Sequence, residues 1–523
     1  MGAAMSKIGA IGRFLAVGVA ALCAGALQAE TLAEALGKAY QSNPQLEAQR
    51  ARERASDEVV AQARGAFGPQ VNASASYQFL DRRTTGTLGS RDDGAGFTYG
   101  VTLDQPLFTS GQLAASLNAA QAAQLVEREA LRLAEQGLIA EVVAAYVGVQ
   151  RDLAIYGVQS QIRQLLDDQF DITSERFRLR DVTATDLDQT DNRRLVARAR
   201  EEEALANVQS SATAYRRLVG NFPQDLAPLP GLPVLPDLQS LYQIAETRSP
   251  QILIAHYAAQ TSRETLAQRR AERGPVVTGN LAALASPLSP FENKPRAEEL
   301  MAGVSVVLPL YSGGVLSARI REAEQLSQAD VFDHEQARRD VRDVIGARWN
   351  QARAARAATP VYRSSVEAAR SALVGVRRQE QVGTRTSRDV LETTNDLLNS
   401  RIAEIDSAAN GYIATVYAMA NAGLLDIAQF GADAPRYDPE GYDPFAQGLA
   451  GLPLQPLLDP IDSILLDRST EDVTVLREAD PAYTVPSAAA DAEVAIPAPE
   501  IEGEAPAAPL PPPPSRGAGA LPD

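Results

Sequence analysis

Asp389 and Glu392 stand three residues apart in the run Gly383-Thr384-Arg385-Thr386-Ser387-Arg388-Asp389-Val390-Leu391-Glu392. On a helix that spacing puts both carboxylates on one face, with Arg385 one turn before Asp389. Taken alone, Arg385 and Asp389 are an i,i+4 pair worth a few tenths of a kcal/mol. Repeated around a symmetry axis, the same face becomes a ring of negative charge that attracts cations and raises some of its own pKa values. This chemistry is electrostatic, and the chain offers little for catalysis. It has two histidines, His256 and His334, each isolated on a predicted helix, and one cysteine, Cys23. No nucleophile-base pair, zinc set, other metal site or phosphate loop follows from them, and no cofactor is expected. Nothing in the sequence points to nucleic acid.

The acidic residues belong to a duplicated frame. Asn43-Pro44-Gln45-Leu46 returns as Ser249-Pro250-Gln251-Ile252, and Gly68-Pro69 as Gly274-Pro275. Pro106-Leu107-Phe108-Thr109-Ser110-Gly111 returns as Pro309-Leu310-Tyr311-Ser312-Gly313-Gly314, a shift of 309 − 106 = 203. Thr183 and Asp186 return as Thr386 and Asp389 on the same shift. A period this long marks a duplicated half-domain rather than a solenoid. The expected order in each half is helix, strand, loop, strand, very long helix, helix. The first half spans 30–224, with strands 69–80 and 96–106, a long helix 111–179 and a helix 184–220. The second spans 225–430, with strands 275–285 and 299–308, a long helix 314–381 and a helix 386–423.

No proline interrupts the stretch from Gly111 to Gly220, and Leu138, Val142, Ala145, Val149, Leu153 and Tyr156 recur at helical steps. A helix from Gly111 to Arg178 is about 100 Å long at about 1.5 Å per residue, so it must lie in a bundle with others. The second copy contains Pro360 where the first has Gly157, two weak points at one level that predict a shared bend. Gly220 and Gly423 are the expected carboxy-terminal caps of the shorter helices.

Val71 to Phe79 and Phe97 to Asp104 alternate apolar and polar residues with the period of two of a strand that has one greasy and one wet face. Val276 to Ala285 and Leu300 to Val307 alternate less strictly. The polar segments between them, 81–95 and 286–298, are expected to be loops outside the membrane. Four strands cannot close a barrel, and lipid does not tolerate an open sheet edge. Three copies would supply twelve strands, so a membrane reading demands a homotrimer.

The ends of the chain are of another kind. Lys7 and Arg13 precede the apolar stretch Phe14 to Leu27, with small residues at Ala26 and Ala29, the layout of a secretory signal over residues 1–29. From Gly431 onward seventeen acidic and four basic residues account for most of the formal charge of −17, and the run Pro511 to Pro514 is of low complexity. Residues 431–523 are expected to be a disordered periplasmic tail.

The signal, the duplicated halves, the Pro-Leu-Phe/Tyr-x-x-Gly links and the Gly383–Glu392 run together resemble the TolC family of outer-membrane efflux proteins, over about Thr31 to Gly431. The resemblance implies a mixed α/β membrane protein. It would be a trimeric channel-tunnel with a twelve-stranded transmembrane β-barrel, a long periplasmic α-helical barrel and an internally duplicated protomer. It implies an exit duct for cargo, a type I secreted protein or drugs, delivered by an inner-membrane ABC or RND-type pump through a periplasmic adaptor. It places a periplasmic constriction at Asp389, Glu392, Asp186 and Arg385, and adaptor-contacting tips at Val382, Gly383, Thr384 and at Leu179, Arg180, Asp181. The first tip lacks the glycine of the second. Pro106, Gly111, Pro309 and Gly313 mark the strand-to-helix links. The competing reading is a soluble periplasmic coiled-coil scaffold.

Overall fold

The computed structural model describes residues 29–83, 85, 91–289, 292–432, 436–439 and 441–442. The expected signal segment, up to residue 28, and most of the acidic tail lie outside the described residues. The elements run α1 (Leu32–Ser42), α2 (Pro44–Gly65), β1 (Gln70–Arg83), β2 (Arg91–Phe108), α3 (Gln112–Arg178) and α4 (Ala184–Val219). The second half repeats them as α5 (Leu238–Arg248), α6 (Pro250–Ala271), β3 (Val276–Ser289), β4 (Glu292–Val307), α7 (Val315–Gln381) and α8 (Ser387–Asn421), followed by a short 3-10 turn, Ile427–Phe430. Both long helices have 67 residues, about 100 Å of helix. No described helix is long and apolar enough to cross a membrane.

The four strands form one antiparallel sheet in the order β1-β2-β3-β4, and the β2–β3 pairing joins the two repeats. Register puts like beside like. Val71 faces Leu103, Ala73 faces Val101, Ala75 faces Tyr99 and Tyr77 faces Phe97. Val101 then faces Ala283, which faces Leu300. One face is therefore apolar across all four strands. Its large side chains lie open, with Phe79 68% and Leu300 76% exposed. The other face carries Asn72, Ser74, Ser76 and Gln78 and a polar row in which the Asn280 amide donates to Asp104 Oδ1 at 2.6 Å and Ser305 Oγ donates to Asn280 Oδ1 at 3.0 Å.

The strands are longer than their alternation predicts. Pairing continues from Asp81 opposite Asp93 to Arg83 opposite Arg91, and from Ser286 opposite Ala297 to Ser289 opposite Glu292. Much of the expected loops at 81–95 and 286–298 is thus strand. An antiparallel ladder is held by backbone hydrogen bonds, which polar side chains do not interrupt.

The α-helical core lies around α1, the middle of α3, and the facing parts of α4, α7 and α8. Tyr146 and Trp349, equivalent under the shift of 203, each hydrogen-bond the segment between the repeats: Tyr146 Oη donates to Ala227 O at 2.7 Å and Trp349 Nε1 to Pro236 O at 3.2 Å. Helix α7 runs through Pro360 without a break. Ala422 is the carboxy-terminal cap residue of α8, and Gly423 after it takes the left-handed conformation that Gly220 takes at the end of α4.

The described residues after 431, within the segment expected to be disordered, pack on the helices. Tyr437 Oη donates to Glu53 Oε2 at 3.0 Å, Tyr442 Oη donates to Glu58, and Arg50 stacks between the rings of Tyr40 and Tyr437. These aromatic residues anchor the first part of the segment on α2. Glu53 is fully buried there, and burial pushes its carboxyl up.

Candidate gate and periplasmic tips

Each long helix must reverse at its far end, and both reversals use one backbone solution. After α7, Gly383 takes φ 77°; its N–H donates to Glu380 O, and Thr384 N donates to Gln379 O, both at 2.9 Å. After α3, Arg180 takes φ 62°; its N–H donates to Phe177 O and Asp181 N donates to Arg176 O, again both at 2.9 Å. This is a Schellman closure, normally built on glycine. The missing glycine changes the side chain at the tip and leaves the turn intact. A β-carbon in the left-handed region costs on the order of 1 kcal/mol. Asp181, paired to Arg176 at 2.8 Å, supports the turn. Leu179 and Val382 sit at the equivalent exposed positions, at 79% and 73%.

The returning helices begin with identical caps. Thr183 and Thr386 are the cap residues, and Asp186 and Asp389 are the reciprocal third residues. Asp186 Oδ2 accepts from Thr183 N at 3.0 Å and Oγ1 at 2.7 Å. Asp389 Oδ2 accepts from Thr386 N at 3.0 Å and Oγ1 at 3.1 Å. These hydrogen bonds hold both carboxyls below the usual carboxylate range. In the protomer the shift is therefore opposite to that expected from crowded like charges. Glu392 lies exposed on α8 one turn further on.

The structure brings Arg385 near Asp389 at 4.0 Å, and Arg385 Nε donates to Gln379 Oε1 at 3.3 Å. Those contacts stay within one turn. Asp186 is engaged within its own hairpin. Near the tips, a polar link between the two halves runs through Glu380, which the sequence did not single out. Its Oε1 accepts from Ser387 Oγ at 2.6 Å and from Gln169 Nε2, on α3, at 3.3 Å. Glu380 and Gln169 are 211 residues apart, so no local pattern announces the pair. Above this link a groove of about 630 Å³ lies between α4 and α8, with Arg193, Arg200 and Arg388 on its walls.

The strand-to-helix links have matching backbones at the positions that the shift of 203 pairs. Gly111 and Gly314, with φ of 87° and 84°, are the matching cap positions, and Gly313 matches Ser110, at 62° and 53°. Ser110 Oγ donates to Pro275 O at 2.7 Å, which fastens the first link to the start of β3. Gly274 is required there, because a β-carbon would meet Ser110 at 2.2 Å. The histidines need correcting: they are not isolated. His256 and His334 face each other with ring centroids 5.5 Å apart.

An open four-stranded sheet with one apolar face, continuous with 100 Å helices that end in acidic capped tips, defines a protomer of an outer-membrane channel with a helical periplasmic tunnel. The family model described as "Outer membrane efflux protein" matches residues 35–221 and 241–417. The chain belongs to that family of channel proteins, the TolC family. It is 33% identical to the outer membrane efflux protein BepC of Brucella suis, over 79% of this chain and 89% of that protein. It is 26% identical to the alkaline protease secretion protein AprF of Pseudomonas aeruginosa, over 74% and 83%. In fold it is similar to the crystal structure of the Campylobacter jejuni CmeC outer membrane channel, with a TM-score of 0.68 at 13% identity over 76% of this chain and 87% of that one. The fold is the TolC-like channel-tunnel, the place of action is the outer membrane, and the protein is an exit duct. A soluble scaffold is set aside.

Proposed function

We propose that three copies of the chain close a twelve-stranded barrel and a helical tunnel, and that the duct receives its cargo from an inner-membrane ABC or RND-type pump through a periplasmic adaptor. One observation carries this reading. The sheet ends on β1 and β4 while exposing a continuous apolar face, and an unpaired strand edge in lipid leaves each backbone amide unsatisfied at several kcal/mol. Edge-to-edge closure with further copies removes every such group. The adaptor would dock on the tips, at Val382, Gly383 and Thr384 and at Leu179, Arg180 and Asp181, whose turns share one backbone shape. Asp389 and Glu392, with Asp186, would line the constriction, and Arg385 would help to hold it shut.

The cargo is a type I secreted protein, drugs or both; the name of AprF, an alkaline protease secretion protein, supports the first, and that of BepC supports efflux without naming what is carried. Heat-modifiable migration of the purified protein tests the trimer: loss of a trimer band on boiling supports it, and monomer migration before boiling refutes it. Deleting the gene and measuring extracellular protein and drug susceptibility separates the cargo classes. If neither changes, the cargo assignment fails.

A further inference from the structure

The only two histidines of the chain meet across two helices of the second repeat. Helix α6 leads into β3 and α7 leads away from β4, so the two run antiparallel below the sheet. His256 lies 271 − 256 = 15 residues before the end of α6, and His334 lies 334 − 315 = 19 residues after the start of α7. Their rings stand 5.5 Å apart, centroid to centroid, with planes at 63°. The Tyr257 ring packs edge-on against His256 at 5.4 Å.

We propose that His256 and His334 form a two-imidazole binding site for a divalent transition-metal ion of the zinc or copper kind. With metal–nitrogen bonds of about 2.0–2.1 Å, each ring centroid lies about 3.2 Å from the ion, and two rings at a tetrahedral angle stand about 5.2 Å apart. The observed centroid separation is within a few tenths of an ångström of that value. The neighbouring carboxylates are already engaged. Glu246 pairs with Arg338 at 2.8 Å and Arg342 at 2.7 Å, and Glu335 with Arg338 at 3.0 Å and Arg339 at 3.2 Å. Imidazole suits zinc, copper and nickel, whereas calcium and magnesium prefer oxygen. Among the described residues no third histidine, cysteine or carboxylate completes a cluster of three. Water fills the remaining positions, so the ion is exchangeable. It ties α6 to α7.

The test uses the full chain in detergent. Cu²⁺ is followed by electron paramagnetic resonance and Zn²⁺ by calorimetry, on the wild type, His256→Ala, His334→Asn and the double variant. The expected result is one site per chain whose Cu²⁺ spectrum shows coupling to two imidazole nitrogens, with affinity reduced at least tenfold in each single variant. Zn²⁺ should raise the thermal midpoint of the wild type and not that of His256→Ala, in which an exposed side chain is replaced. A wild-type spectrum with one or no nitrogen, or a single variant that binds as the wild type does, overturns the proposal. So does metal binding that persists unchanged in the double variant, as ions held by the acidic tail would.

Discussion

Replacing Glu380 with Ala should open the periplasmic end. Glu380 is the one side chain at the second tip seen to bond both the start of its own return helix, at Ser387, and the first-half helix α3, at Gln169. A hydrogen bond to a charged group contributes about 1.5–3 kcal/mol, and the lower end applies to a half-buried site. Only the Gln169 bond joins the tip to α3, and at 3.3 Å it is weak, so losing it costs about 1.4 kcal/mol per protomer. That shifts the local equilibrium between tip docked on α3 and tip released by about tenfold. Single-channel recording in planar bilayers reads the effect as longer or more frequent high-conductance states. Glu380→Gln keeps an acceptor oxygen and should recover most of the wild-type behaviour. If Glu380→Ala conducts as the wild type, the Gln169–Glu380–Ser387 link has no part in closure.

The double replacement of Asp389 and Glu392 by Ala should remove cation preference and block by multivalent cations; unchanged selectivity in bilayers would show that these residues are only a solvated helix face. Single cysteines at Val71, Ala73, Ala75, Tyr77 or Phe79 should resist a membrane-impermeant thiol reagent, while those at Asn72, Ser74, Ser76 or Gln78 react, and equal labelling of the two sets contradicts the lipid-facing assignment. Gly383→Arg should destabilise the second tip by about 1 kcal/mol, whereas Arg180→Gly should cost nothing or stabilise the first; amide exchange at Arg180, Asp181, Gly383 and Thr384 measures both. Asp186 and Asp389 have lowered folded-state pKa values, so their cap contribution is complete above the unfolded carboxylate pKa of about 4 and is lost as pH falls through the folded values. Nuclear magnetic resonance of the tip amides should show fraying only below about pH 4, and fraying that begins near pH 6 would contradict the cap assignment.

The sequence determined what is written within a few residues. Alternation along Val71–Phe79 set the two faces of β1, because side chains on a strand alternate whatever lies beside it. Thr183 with Asp186 and Thr386 with Asp389 announced helix starts, because a capping box closes over three residues. The shift of 203 fixed the order of parts, and the glycines at 220 and 423 marked helix ends. The tertiary structure decided where separate segments meet. The β2–β3 register merged the repeats into one sheet and aligned the apolar face across them, and backbone pairing carried the strands beyond their alternating stretch. Arg180 took a glycine's conformation because the closure at the end of α3 fixes the backbone more strongly than one side chain resists it. Glu380 with Gln169, Tyr437 with Glu53, and His256 with His334 are each set by how helices or segments distant in sequence pack together. No local periodicity carries that information, because the energy that brings such residues together comes from burying the faces of the elements that hold them.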